Sequence, residues 1–216
     1  MIIKDFNILK QKVWKVANRL LNSAGSSSLE ESVSKILQEI HEAEDKEAKI
    51  KELTLRFDKK TVSELKISTQ GHFEKLKPDE KKAIELASKR IKNFHTECLP
   101  EEVLFKDGSD ELSVVYKPID SVGLYIPGGT APLLSTLMMT AIPALVAGVE
   151  RIVVTSPPTI HPYILAVADY LGIKEIYQLG GVQAIAGLAN GLPNLEAVDK
   201  IFGPGNQFVT AAKKMV

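Results

Sequence analysis

From residue 121 onward the chain repeats one pattern four times: a short apolar run, a turn rich in glycine or proline, then a longer stretch of helical spacing. A strand at 121–125 leads through Ile126, Pro127, Gly128 and Gly129 into an apolar helix from about 132 to 148, which Pro143 should bend. A strand at 151–155 leads through Ser156, Pro157 and Pro158 into a helix ending at Gly172. A third, at 175–179, passes Gly180 and Gly181 into a helix ending near Asn190, and a fourth, at 200–202, passes Gly203, Pro204, Gly205 and Asn206 into a last helix. Strands joined through helices run parallel, and apolar runs of this length are buried on both faces. The pattern therefore predicts an α/β fold, a parallel sheet with helices on both sides.

Ligands of such sheets bind where the carboxyl ends of the strands meet helix N-termini. The glycine turns at 128–129, 180–181 and 203–205 all fall on that edge, where they allow close backbone approach and offer N–H groups to an anion. Taken singly, each reads better as a plain tight turn, but three on one edge shift the balance toward a nucleotide or phosphorylated ligand. No G-x-G-x-x-G and no G-x-x-x-x-G-K-[ST] occurs, so a nucleotide must be held by other means. Tyr125 ends the first strand, where its ring can stack or its hydroxyl can bond a ribose. Gln183 opens the third helix, and Asn206 flanks the last glycine turn. Amide side chains offer both donors and acceptors to a ligand. Asn206 serves equally well as a helix cap.

The first hundred residues are helical in character. Leu9, Val13, Val16, Ala17 and Leu20 mark an amphipathic arm, and Ser27 with Glu30 forms a capping-box pattern before a helix starting near 29. A further helix carries Ile50 and Leu53 and breaks at the Phe57, Asp58, Lys59 run. An extended piece follows at 65–67, and then a helix opened by Pro78 with Ile84, Ala87, Ile91 and Phe94 on one face. Segments 102–106 and 112–117 read as a hairpin.

Formal charge is balanced, but residues 1–100 hold 20 Lys or Arg against 16 Asp or Glu and the remainder 7 against 11. The lysines interleave with glutamates along helices, the pattern of solvated faces, so nucleic acid is not an expected partner. The longest nearly apolar stretch, 137–149, falls short of the roughly 20 residues of a membrane span. Lys4 and Asp5 interrupt any secretory signal. The single cysteine, Cys98, can form no internal disulfide and suits a reducing, cytoplasmic setting.

Catalytic groups are sparse. His41, His72, His95 and His161 are scattered without metal-ligand spacing, and no G-x-S-x-G elbow is present. His95 reads as structural, His161 lies in a first helical turn, and Asp199 reads as the end of a loop before a strand.

Four strings carry a more specific signal: V-G-L-Y-I-P-G-G-T-A-P-L at 122–133, T-S-P-P at 155–158, G-G-V-Q-A-I-A at 180–186 and D-K-I-F-G-P-G-N-Q-F-V-T-A-A-K at 199–213. With R-F-D at 56–58 and N-F-H at 93–95, they resemble the histidinol dehydrogenase family in order and spacing. The resemblance implies an oxidoreductase that uses NAD and zinc to convert L-histidinol through histidinal to L-histidine. It also implies a homodimer built from incomplete Rossmann-like domains. Tyr125, Gln183 and Asn206 match the family's NAD-contacting positions. Val182 and Gln207 stand where the family often has alanine, which leaves that role intact.

The family's catalytic acid–base pair, substrate contacts and zinc ligands lie beyond the positions present here, so no catalytic or metal-binding residue is carried over. The expected organisation is an N-terminal arm at 1–24, the first part of an incomplete α/β domain at 25–120, and a Rossmann-like, NAD-associated domain at 121–216. The chain by itself is expected to be inactive. Two other readings stay open: a non-catalytic nucleotide-binding or subunit-interaction module, and a relative that oxidises another small alcohol.

Overall fold

The computed structural model describes residues 26–128 and 133–216; the expected arm helix, Gly129 and Pro132 lie outside them. The chain runs α1 (Ser26–His41), α2 (Lys46–Asp58), β1 (Lys66–Ile67), α3 (Pro78–Glu97), β2 (Val103–Asp107), β3 (Asp110–Val114) and β4 (Ser121–Tyr125). It continues with α4 (Leu134–Ala147), β5 (Arg151–Ser156), α5 (Pro162–Tyr170), β6 (Glu175–Gln178), α6 (Gly181–Asn190), β7 (Lys200–Phe202) and α7 (Gln207–Met215).

Five strands form one sheet in the order β1-β6-β5-β4-β7. The four strands of the βα repeat are parallel, as their helical crossovers require. β1 pairs antiparallel with β6, Lys66 opposite Tyr177, so the sheet is mixed rather than wholly parallel. This strand of two residues reaches the edge from the preceding helices by a loop, and no crossover helix sets its direction.

Alternation along the buried strands sends side chains into two cores. Val153, Tyr177 and Tyr125 face a layer made by α1, α2, α6 and α7, with Val33, Ile36, Ile50, Leu53, Ile185, Leu188 and Val209. Ile152, Val154, Val122, Leu124 and Ile176 face α3, α4 and α5. The result is three layers with a Rossmann-like centre, to which the helices before β4 contribute walls on both sides, α1 and α2 on one and α3 on the other.

Local chemistry sets the helix ends. The Asp45 carboxylate accepts from Ala48 N at 2.9 Å and starts α2, and Lys59 ends it with φ 56°. Pro78 occupies the first turn of α3, where Glu80 accepts from Lys77 N at 2.9 Å. α1 begins at Ser26, so Ser27 lies within its first turn rather than ahead of it. On α3 the packed face carries Ile84, Ser88 and Ile91, and His95 continues it, whereas Phe94 is 64% exposed. The 3.6-residue period, followed from Ile84, leads to 91 and 95 and leaves 94 turned outward.

At the amino ends of the strands, Asp199 accepts from Ser121 N at 2.8 Å and from Ser121 Oγ at 2.7 Å, while Asp199 N donates to Ser121 Oγ at 3.0 Å. These bonds hold the Asp199 carboxyl below its usual range and tie the starts of β4 and β7 together. Asp199 thus ends the loop before β7, at the edge opposite the glycine turns. No helix among the described residues is long and apolar enough to cross a membrane.

Candidate functional site

β7 lies against β4, with Phe202 opposite Leu124. Gly203 continues it with φ +116°, and a Cβ there would collide with the Tyr125 carbonyl oxygen. Only glycine allows the loop after β7 to turn beside the end of β4 in this way. The loops after β5 and β6 close in similarly, Gly180 lying flat against Pro157.

These four loops form one side of a cavity of about 1020 Å³ at the carboxyl edge of the sheet. Tyr125, Pro127 and Gly128 come from the β4 end, Pro157 and Pro158 from the β5 end, Gly181 and Gln183 from the start of α6, and Asn206 from the start of α7. The opposite side was not foreseen from sequence: α1 contributes Lys35, Ile36 and Glu39, and the end of α2 contributes Arg56, Phe57 and Asp58, followed by Lys60. Packing of Ile36 and Val33 into the core beneath α6 and α7 holds this wall in place.

The structure brings Tyr125, Gln183 and Asn206 into this one cavity. Tyr125 is 4% exposed, and its hydroxyl accepts from Gly181 N at 3.3 Å. Burial pushes the phenol up, the Gly181 bond opposes this, and the charge of Asp58 adds to the rise. The hydroxyl therefore stays protonated, with its own hydrogen available to donate.

Gln183 is 1% exposed, and its Nε2 donates to Asp58 Oδ2 at 3.3 Å. Asn206 is exposed and caps α7, its Oδ1 accepting from Val209 N at 3.0 Å. Its amide nitrogen stays outside that cap bond. The starts of α6 and α7 both adjoin the cavity and bring the positive ends of two helix dipoles to it.

Asp58 is the functional candidate that sequence reasoning missed. It is partly buried at the last position of α2, and desolvation raises its carboxyl above the ordinary range. Its only signal in the sequence was the R-F-D string. Arg56 pairs with Glu39 at 3.4 Å, both largely solvated, an interaction of little energetic weight.

The histidines stay apart from this site. His161 caps α5, its Nδ1 accepting from Tyr163 N at 3.2 Å, and lies outside the cavity lining. His95, on α3, buries its Nε2 without a hydrogen-bond partner among the described residues. Among the described residues, no group of three or more His, Cys, Asp or Glu side chains could hold a metal ion.

The chain is 44% identical over its whole length to histidinol dehydrogenase of Campylobacter jejuni strain RM1221, covering 51% of that protein. It is 43% identical to histidinol dehydrogenase of Escherichia coli K12, over 89% of this chain and 45% of that one. The crystal structure of histidinol dehydrogenase from Elizabethkingia anophelis superposes with a TM-score of 0.81 at 35% identity, over 87% of this chain and 45% of that one. The chain thus spans about half the length of the relatives it matches. The sequence model of the histidinol dehydrogenase family matches residues 21–216, and the chain belongs to that family.

Proposed function

We propose that the cavity is an NAD site and that the chain contributes the cofactor-binding part of an enzyme oxidising L-histidinol to L-histidine through histidinal. The observation that carries this reading is the convergence of Tyr125, Gln183 and Asn206 on one cavity at the carboxyl edge of the parallel strands. The donor set fits a dinucleotide. Two helix N-termini and the side chains of Lys35 and Lys60 suit a pyrophosphate, the ring of Tyr125 and the flanking prolines offer flat apolar surface, and the amide of Asn206 can read a base or carboxamide edge. NAD supplies the hydride-accepting carbon when bound; the residues here position it and exclude water.

Zinc is different. The described residues do not fit a metal site of the usual three or four protein ligands, so no step is assigned through it here. Histidinol as substrate, assembly as a homodimer and a cytoplasmic setting belong to the same proposal, supported by the family membership.

NAD titrated into the isotope-labelled chain should perturb the amides of 125–128, 181–183 and 206–208, and weakly, since a pyrophosphate loop of the usual kind is missing. Perturbations confined to α3 and the β2–β3 hairpin would refute the cavity assignment. The same chain, given histidinol, NAD and zinc, should form no NADH above background. Turnover by it alone would place the base and the alkoxide-stabilising group among residues assigned no such role here.

A further inference from the structure

We infer that Asp58 determines cofactor specificity, its carboxylate receiving a ribose diol and rejecting a nucleotide that carries a 2′-phosphate. The inference rests on the NAD reading and names how that site chooses between NAD and NADP.

Three features make Asp58 costly where it stands. It is the last residue of α2, at the negative end of the helix dipole. It is partly buried, and desolvation raises its carboxyl with no neighbouring cation to offset the effect. Although Lys35, Arg56 and Lys60 line the same cavity, none lies within ion-pair distance of it among the described residues. A carboxylate kept in such a place, inside a cavity, is a marker of ligand chemistry rather than of stability.

Gln183 shows what that chemistry is. This almost fully buried amide donates to Asp58 Oδ2 at 3.3 Å, which holds that oxygen toward α6. Oδ1 has no hydrogen-bond partner among the described residues. A carboxylate oriented this way, with acceptor capacity to spare and no cation beside it, suits a neutral group carrying hydroxyl donors. A vicinal diol supplies two.

The ribose of a dinucleotide is ordinarily read by an acid that follows the glycine fingerprint by about twenty residues. Here neither the fingerprint nor an acid on that strand is present: β5 ends in Thr155 and Ser156 and runs straight into Pro157 and Pro158. Asp58 reaches the same cavity from the opposite wall and takes the role. A 2′-phosphate would set its own negative charge against this carboxylate. Lys35 and Lys60 do not cancel the effect, because the pyrophosphate they suit is common to both nucleotides.

The test is calorimetric titration of the whole 216-residue chain with NAD and with NADP, for the parent, D58N, D58E and K35A. The parent should bind NAD at least about tenfold more tightly than NADP, the scale of one hydrogen bond to a charged group. D58N should weaken NAD by about tenfold and bring the two nucleotides to within roughly threefold of each other. D58E, which keeps the charge but moves it, should weaken NAD while still rejecting NADP, and serves also if D58N fails to fold by circular dichroism. K35A should weaken both nucleotides alike and leave their ratio unchanged. Equal affinities in the parent, or an unchanged ratio in D58N, would overturn the inference while leaving an NAD site that still perturbs residues 181–183. Absence of binding by either nucleotide would remove the NAD reading and this inference together.

Discussion

Asp58 links the stability of the fold to its proposed use. Its carboxyl titrates higher in the folded chain than in the unfolded one because burial disfavours the charge. A raised value means that folding favours the protonated form, so the contribution of Asp58 is most favourable below the unfolded value of about 3.9. It is lost as pH rises through the folded value. At neutral pH the ionised group therefore opposes folding. Asp58→Asn should accordingly be more stable than the parent at pH near 7, and this advantage should shrink as pH falls below about 4, where both side chains are neutral. Paired urea titrations at the two pH values measure the difference directly. A variant less stable than the parent at neutral pH would mean that Asp58 is held by favourable contacts and is not a strained group retained for a ligand. Gln183, by contrast, was legible as a site residue by its position and by the family resemblance, but a polar residue at a helix start announces neither its near-complete burial nor its tie to Asp58.

At the level of elements, the βα repeat was readable because each of its signals is local: apolar runs for β4, β5 and β6, glycine or proline at the turns, and helical spacing after them. What could not be read was how α1 and α2 close the cavity, since that depends on Val33 and Ile36 meeting Ile185 and Val209, residues far away in the chain. The extended piece at 65–67 was read, but its antiparallel pairing with β6 was not, two residues being too few to carry a pairing pattern. Asn206 shows how one residue serves both element and site. Its Oδ1 caps α7, and replacing a cap residue with alanine costs about 1 kcal/mol. Asn206→Ala should lose that stability and also weaken NAD. Asn206→Asp should keep the cap, and the helix stability with it, yet still weaken NAD, because it exchanges an amide donor for a carboxylate. Thermal melts combined with NAD titrations separate the two roles; equal NAD affinity in Asn206→Asp and the parent would reduce Asn206 to a cap alone.

Across the whole molecule, apolar surface is covered very unevenly. Both faces of the central strands β4, β5 and β6 are buried, with Leu124, Val153, Val154 and Ile176 at 1% exposure or less. The β2–β3 hairpin, which the sequence reading placed at 102–106 and 112–117 and whose strands run closer to the turn, is exposed along its full length. Its register sets Val103 opposite Val114 and Phe105 opposite Leu112. Residues two apart along a strand share a face, so these four side chains form one apolar patch, and each is 50% or more exposed. A lone hairpin of two strands is only marginally stable in water, and uncovered apolar patches of this kind bind hydrophobic dyes and promote association. The chain at micromolar concentration should therefore enhance the fluorescence of a hydrophobic dye, and the double substitution Phe105→Thr with Leu112→Thr should remove most of that signal. Threonine retains strand propensity, and the hairpin lies outside both cores, so the urea midpoint of the sheet should shift little. A signal unchanged by the double substitution would place the exposed apolar surface elsewhere. Phe94, 64% exposed on α3, would be the next residue to replace.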